Sequence, residues 1–586
     1  MLKLFAYFNT QERRSCWFIL LLILIQVWLD LKLPDYMASI TTLVETPGST
    51  LTAILQQGGW MLLCAFGSTL TFLLVSYLSA RTAAGLSRTL RHSVYDRTLN
   101  FSQAEMQKFS AASLINRTTN DITQIQTLVT IGLQAILKAP FLAIWAMIKI
   151  SDKEWQWSAG TAAAVFLLIL LLSTVLIFVV PRFRRIQTLT DTLNRIVREQ
   201  LQGIRVVRAY NASAYQEKKF AQANADLTQN NLVTARIMGL LPPAMIFISI
   251  GLTLFVYWIG AYIIAAAAMD DRLRIFSDMV VFSNYAMQVI LAFMLLNLVF
   301  ILVPRAQVSA QRILEVLDTQ PSITDGSRTL ADRTQPGTLE FRAVTFRYHA
   351  SAEPVLKDIS FQAKRGETLA IIGATGSGKT TLVQLLLRTY DASEGSVLVD
   401  GLNVRDYQRA ALQKLIGYVP QQAQLFAGTI AENIAYGGRD TAPDAAAIDE
   451  AARLACCTEF IASLPEGFQA HVAQGGQNFS GGQRQRLTIA RAIAWQPEIF
   501  IFDDSFSALD YQTDRQLRKL LADELRDTIK IIVAQRIGTI RHADRILVLE
   551  HGRIVGQGTH DELLRSCSVY QEIARSQLSE EEMNYA

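Results

Sequence analysis

The chain has 586 residues, of which 51% are hydrophobic and only 18% charged, a balance that excludes an intrinsically disordered chain, a coiled coil and a simple cytosolic enzyme. Its 55 Lys and Arg against 51 Asp and Glu leave a net charge of +4. That is too mild to point to nucleic acid without a local basic patch, and the linear sequence displays none.

Apolar runs near 17–38, 59–80, 131–150, 158–180, 240–265 and 278–303 each approach the roughly 20 residues that a hydrocarbon core of about 30 Å demands of a helix. The first is not read as a cleavable signal, because it lacks a small-residue cleavage site and further spans follow it. The chain is therefore expected to be a multi-pass membrane protein. The loop after the second run carries Arg81, Arg88, Arg91, Arg97, Lys108 and Arg117, and the segment after the fourth is richer still, from Arg182 to Arg236. The three opposite loops offer only Lys153, Arg272 and Arg274. Because Lys and Arg concentrate on the cytoplasmic side, both termini are expected there. The two basic segments repeat apolar residues at helical spacing, as in Leu86, Leu90, Val94 and Leu99, and are read as helical extensions of the spans. Asp30, Lys32 and Asp35 lie at the outer end of the first run, where charges face a partner, a wet cavity or the outer interface.

Around residue 320 the composition turns polar and turn-rich, through Asp318, Gln320, Pro321 and Asp325. The expected division is a six-helix membrane domain over 1–320, a linker over 321–338 and an α/β domain over 339–586, in which strand-length apolar runs at 368–372, 499–502, 529–533 and 546–549 alternate with helical patterns. Cys16, Cys64, Cys456, Cys457 and Cys567 show neither ligand spacing nor an even disulfide framework.

The chemistry is concentrated in the second half. Gly373, Ala374, Thr375, Gly376, Ser377, Gly378, Lys379 and Thr380, followed by Thr381, lie between an apolar strand and a helical pattern. In that context glycine-freed backbone N–H groups cradle phosphates, Lys379 reaches the outer phosphates and Thr380 offers a hydroxyl to Mg2+. The apolar run at 499–502 ends in Asp503 and Asp504; beside a phosphate loop, Asp503 is the expected Mg2+ ligand. Phe479, Ser480, Gly481, Gly482 and Gln483 open another helical pattern, placing free N–H groups where an anion could bind.

Together these motifs resemble the ABC transporter superfamily, and the six runs with long extensions resemble a half-size exporter of the type IV, or multidrug, arrangement. The resemblance covers the entire chain. It implies ATP and Mg2+ as cofactors, an adenine-stacking role for Tyr348, a Q-loop role for Gln421 with Mg2+ among its contacts, and a D-loop ending at Asp510. It further implies that each ATP lies between the phosphate loop of one chain and the signature, residues 479–483, of another. Segments near 113–121 and 209–215 match where such exporters place coupling helices.

Two departures are informative. Where hydrolytic members carry a glutamate as general base, this chain has Asp504, shorter by one methylene or about 1.5 Å. Where they carry a switch histidine it has Gln535, which cannot take up a proton near neutral pH. Misplacing a reacting group by roughly 1 Å costs on the order of a hundredfold in rate. The expectation is a heterodimer in which this chain's site is degenerate while its intact signature completes the hydrolytic site of a homologous half-transporter carrying the consensus Glu and His. The cargo expected is an amphipathic drug or lipid, and the location a bacterial plasma membrane. Alternatives are a homodimeric exporter of a specific lipid, peptide or thiol, and a gated channel or regulator on the same scaffold. Phe247, Phe255, Tyr257, Trp258, Phe282, Tyr285, Met287, Phe293, Met294 and Asn297 are candidates to line an adaptable apolar cavity.

Overall fold

The computed structural model describes residues 2–46, 48–151, 153–349, 351–437 and 442–577. The chain divides into two compact units, Met1–Leu99 with Ala111–Thr319, and Asn100–Ser110 with Gln320–Ala586.

Among the described residues of the first unit, six helices are long and apolar enough to cross a membrane. The first, Thr10–Glu45, begins at a capping box in which Asn9 and Glu12 each satisfy backbone N–H groups that an open helix end would leave bare. Leu51–Leu99 and Trp155–Gln202 run for 49 and 48 residues, so the apolar stretches are only parts of much longer rods. The third crossing helix starts at Ala111 and passes through two π turns, Arg117–Asp121 and Leu128–Gly132, before continuing as Leu133–Ser151. Leu241–Ala266 and Met269–Asp318 complete the set.

Side chains in this unit sort differently from the reading of the sequence. Phe282 and Tyr285 are fully buried, with Phe282 tilted against Trp157 at 5.4 Å between ring centroids; they pack the core of the bundle. Trp258 faces outward, Phe247 is exposed but lines an apolar cleft of about 850 Å³ with Leu170, Leu241 and Ile248, and the side chain of Asn297 lies outside the described residues. The charges near the outer end of the first span are paired. Asp30 binds Lys138 at 2.9 Å and accepts from Ser68; Asp35 binds Lys149 at 2.9 Å, lies 3.7 Å from Lys32 and accepts from Tyr285. Lys153 pairs with Asp278. In a medium without water such pairing is what makes a charge tolerable.

The second unit is built on a six-stranded sheet with the order Arg553–Gly558, Arg545–Glu550, Thr368–Gly373, Ile529–Val533, Ile499–Asp503, Ile416–Val419. The last five strands are parallel and the first pairs antiparallel at the edge. All five residues of Ile499–Asp503 and of Ile529–Val533 are buried, as expected of parallel strands covered on both faces. An antiparallel four-stranded sheet, ordered Leu356–Lys364, Thr338–Phe346, Glu394–Val399, Leu402–Asn403, packs beside it.

The short helix Gln103–Lys108 clusters with this second unit, several residues before the 113–121 segment expected from sequence to be a coupling helix. Ser102 caps it and Glu105 returns a bond of 2.8 Å to the Ser102 N–H, while the Ser102 hydroxyl meets that of Ser322 at 2.9 Å. Burial pushes the Glu105 carboxyl up, but its bonds to Ser102 and Ser322 outweigh that and hold it below the usual carboxylate range.

Candidate functional site

At the C-terminal end of strand Thr368–Gly373 the chain makes a tight loop and enters the helix Lys379–Leu386. Gly376 and Gly378 have φ of +83° and +102°, a left-handed backbone that only glycine adopts at little cost. The Lys379 ammonium folds back over the loop, donating to the carbonyls of Gly373 at 2.8 Å and Ala374 at 2.9 Å. Burial holds its pKa below the usual lysine value, opposed by Asp504 and Asp503. Among the described residues the Ser377 hydroxyl is buried without a hydrogen-bond partner, which leaves a donor in the loop that fits a phosphate oxygen. Thr375 and Thr380 are exposed at the rim, and Thr381 is buried beneath it.

A single strand, Ile499–Asp503, next but one to the loop's own strand in the sheet, brings both carboxylates to this loop. Asp503 ends Ile499–Asp503, is 3% exposed and carries a pKa raised to about 6, first by burial and then by repulsion from Asp504, with the Tyr418 hydroxyl and Lys379 pulling the other way. Asp504 stands in the left-handed region at φ +48°, its N–H donating to the Val533 carbonyl at 2.9 Å. One oxygen of its carboxylate accepts from the amides of both Gln421 and Gln535, each at 3.3 Å. The structure therefore gathers Lys379, Asp503, Asp504, Gln421 and Gln535 around one loop. Burial raises the Asp504 pKa against the pull of Gln421, Lys379 and Arg536.

Tyr348 hydrogen-bonds Thr381 at 2.9 Å and Gln384 at 3.2 Å, both on the helix that the loop opens. Its ring meets Phe346 and Tyr390 edge-on, at 5.0 and 5.2 Å, an arrangement that fixes the ring's plane.

The signature residues assemble as a second group. Ser480 caps the helix Gly481–Ala494, accepting from the Gln483 N–H at 3.3 Å, while the Gln483 side chain accepts from the Ser480 N–H at 2.9 Å. Gly482 lies against the Ala508 carbonyl and Leu509, and Asp510 caps the following helix, Tyr511–Glu524, through Thr513. The Phe479 side chain points inward, 8% exposed and edge-to-face with Phe460, so it anchors the turn and offers a ligand only its backbone. Tyr418, Gln384 and Tyr390 escaped the sequence reading because their roles come from partners distant in the chain, and no local pattern marks them.

Residues 16–295 match the family of the ABC transporter transmembrane region, and residues 356–507 match the ABC transporter family. This chain belongs to the ABC transporter family. An uncharacterized ABC transporter ATP-binding protein of Mycobacterium tuberculosis is 37% identical over 577 residues, covering 96% of each chain. An ATP-dependent lipid A-core flippase of Pseudomonas aeruginosa is 30% identical over 519 residues, covering 86% of this chain and 82% of that one. Among solved structures, a bacterial Atm1-family ABC exporter with ATP bound superposes with a TM-score of 0.79 at 25% identity, covering 97% of this chain and all of that one. The chain is thus a half-size ABC exporter, a multi-pass membrane protein whose ATPase activity is coupled to transport.

Proposed function

We propose that this ABC transporter is one subunit of a heterodimeric exporter that moves amphipathic drugs or lipids outward by alternating access, with a slow ATP site on its own phosphate loop. The observation that carries the reading is the Asp504 carboxylate held by two glutamine amides at 3.3 Å. Neither amide accepts a proton near neutral pH, so the shortened carboxylate has no histidine beside it to assist. ATP is bound by residues 373–381, with Tyr348 against the base. The donor set of Thr380, Gln421 and Asp503 offers the hard oxygens that Mg2+ prefers, and bound there the ion would neutralise phosphate charge. The capped helix start at Ser480, Gly481 and Gly482, with Phe479 and Gln483 shaping it and Asp510 nearby, faces the partner's nucleotide and completes the site that hydrolyses. The lipid cargo is supported by the flippase relative, and cytoplasmic termini by the distribution of Lys and Arg. In this reading residues 1–320 carry cargo, 321–338 link, and 339–586 bind nucleotide.

The test is ATP turnover by the chain alone and with its partner in lipid nanodiscs. The chain alone is expected to bind ATP and turn it over very slowly, whereas brisk turnover by a homodimer sinks the proposal. In the paired complex, Asp504→Glu with Gln535→His is expected to raise turnover; an unchanged rate would show that geometry at these positions was not limiting.

A further inference from the structure

Tyr390 follows the helix Lys379–Leu386 and is only 7% exposed. Its ring closes a triangle with Phe346 and Tyr348, each pair meeting edge-on at 5.0 to 5.5 Å between centroids. Tyr348 is pinned again at its hydroxyl by Thr381 and Gln384, yet stays 36% exposed. A ring gripped by two neighbours and by its own hydroxyl presents one fixed plane, and a base that stacks on a fixed plane does not have to order it on binding.

The other end of Tyr390 is unsettled. Among the described residues its hydroxyl has no hydrogen-bond partner, although it is buried. A buried donor without an acceptor is costly, so a shift that brings an acceptor to it is favoured. The carboxylate that acts on it is Glu105. After burial and Tyr348, Glu105 pushes the Tyr390 hydroxyl up, which keeps the proton in place. Glu105 belongs to the same compact unit, where it accepts from the N–H groups of Ser102, at the cap of helix Gln103–Lys108, and of Ser322. Arg388, on the turn that carries Tyr390, donates to the carbonyls of Thr324 at 2.8 Å and Tyr407 at 3.1 Å. The stretch with Ser322 is thus tied to that turn as well.

We propose that Tyr390 is a positioning residue with two ends: its ring holds the plane of Tyr348 against the nucleotide base, and its hydroxyl passes base occupancy to Glu105 and the helix Gln103–Lys108. This route starts at the base and is separate from the phosphate end of the site. It rests on the placement of the base against Tyr348 proposed above, and not on which chain of a dimer hydrolyses ATP.

Hydrogen exchange on the full chain in lipid nanodiscs, titrated with MgATP and with magnesium inorganic triphosphate, tests it. Protection of 373–381 reads binding of either ligand, and protection of 102–108 reads transmission. In the parent, MgATP is expected to slow exchange over 102–108 about threefold and triphosphate to leave it unchanged. Y390L is expected to weaken MgATP about tenfold, to leave triphosphate binding as it was, and to lose the response at 102–108 even at saturating MgATP. Y390F keeps the ring and loses the same response. Because coupling is reciprocal, its MgATP affinity is expected to fall only by the factor of about three that the response had supplied. In a Y348A background Y390L is expected to cost nothing further. Parent-like MgATP affinity in Y390L overturns the proposal, as does an additive loss in the double variant, a full response in Y390F, or an equal response of 102–108 to both ligands. If Y348A itself binds MgATP as the parent does, the base lies elsewhere and the proposal falls with that placement, whereas a weakened Y348A beside an unaffected Y390L condemns the role of Tyr390 alone.

Discussion

Asp503 and Asp504 are neighbours in sequence with different surroundings. Asp503 is sealed at the end of a buried strand, and its pKa of about 6 means that the fold favours its protonated form. For an acid raised from 3.8, stability present at low pH is lost as pH rises through about 6. Above that pH the buried charge costs up to about 3 kcal/mol until a cation meets it. Asp503→Asn is therefore expected to stabilise the nucleotide-free chain above pH 6 and to abolish the further gain from MgATP. Thermal unfolding against pH, with and without MgATP, checks both. The phosphate loop was legible in sequence because its chemistry is contiguous. The clamp on Asp504 was not, since its two amides come from 83 and 31 residues away, and only the order of the parallel strands makes them neighbours.

At the scale of elements, the membrane helices were legible from apolar length alone, but their pairing was not. Lys138 and Lys149 sit inside an apolar run of the third span, with no local pattern to mark them, and they meet Asp30 and Asp35 on the first. Removing one member leaves a charge stranded, which costs about 3 kcal/mol, whereas removing both is close to neutral. Asp30→Asn is thus expected to destabilise the membrane unit and Asp30→Asn with Lys138→Met largely to recover it, as read by thermal unfolding in nanodiscs. The capped helix Gln103–Lys108 was missed because six residues are too few for a period to show. Its hold is Glu105, whose bonds to the N–H groups of Ser102 and Ser322 are 2.8 and 3.3 Å. Glu105→Ala is expected to cost about 1 kcal/mol and to raise hydrogen exchange across 102–108.

For the whole molecule, the proposed asymmetry separates two roles that a symmetric dimer would combine. Exchanging the partner's catalytic glutamate for glutamine is expected to lower transport in nanodiscs or vesicles by at least about a hundredfold, while Asp504→Asn in this chain should leave most of it. Persistent transport after the first change would mean that the hydrolytic sites are assigned the wrong way round. The two π turns in the third crossing helix, Arg117–Asp121 and Leu128–Gly132, also act over a distance. Each inserts an extra residue into an otherwise regular winding, and one residue is worth about 100° of rotation. The azimuth of everything beyond them, Lys138 and Lys149 included, is therefore set by a two-residue insertion well before those lysines. Deleting a single residue there would turn both lysines about a quarter of the way round the rod, away from Asp30 and Asp35, without altering any residue of either ion pair.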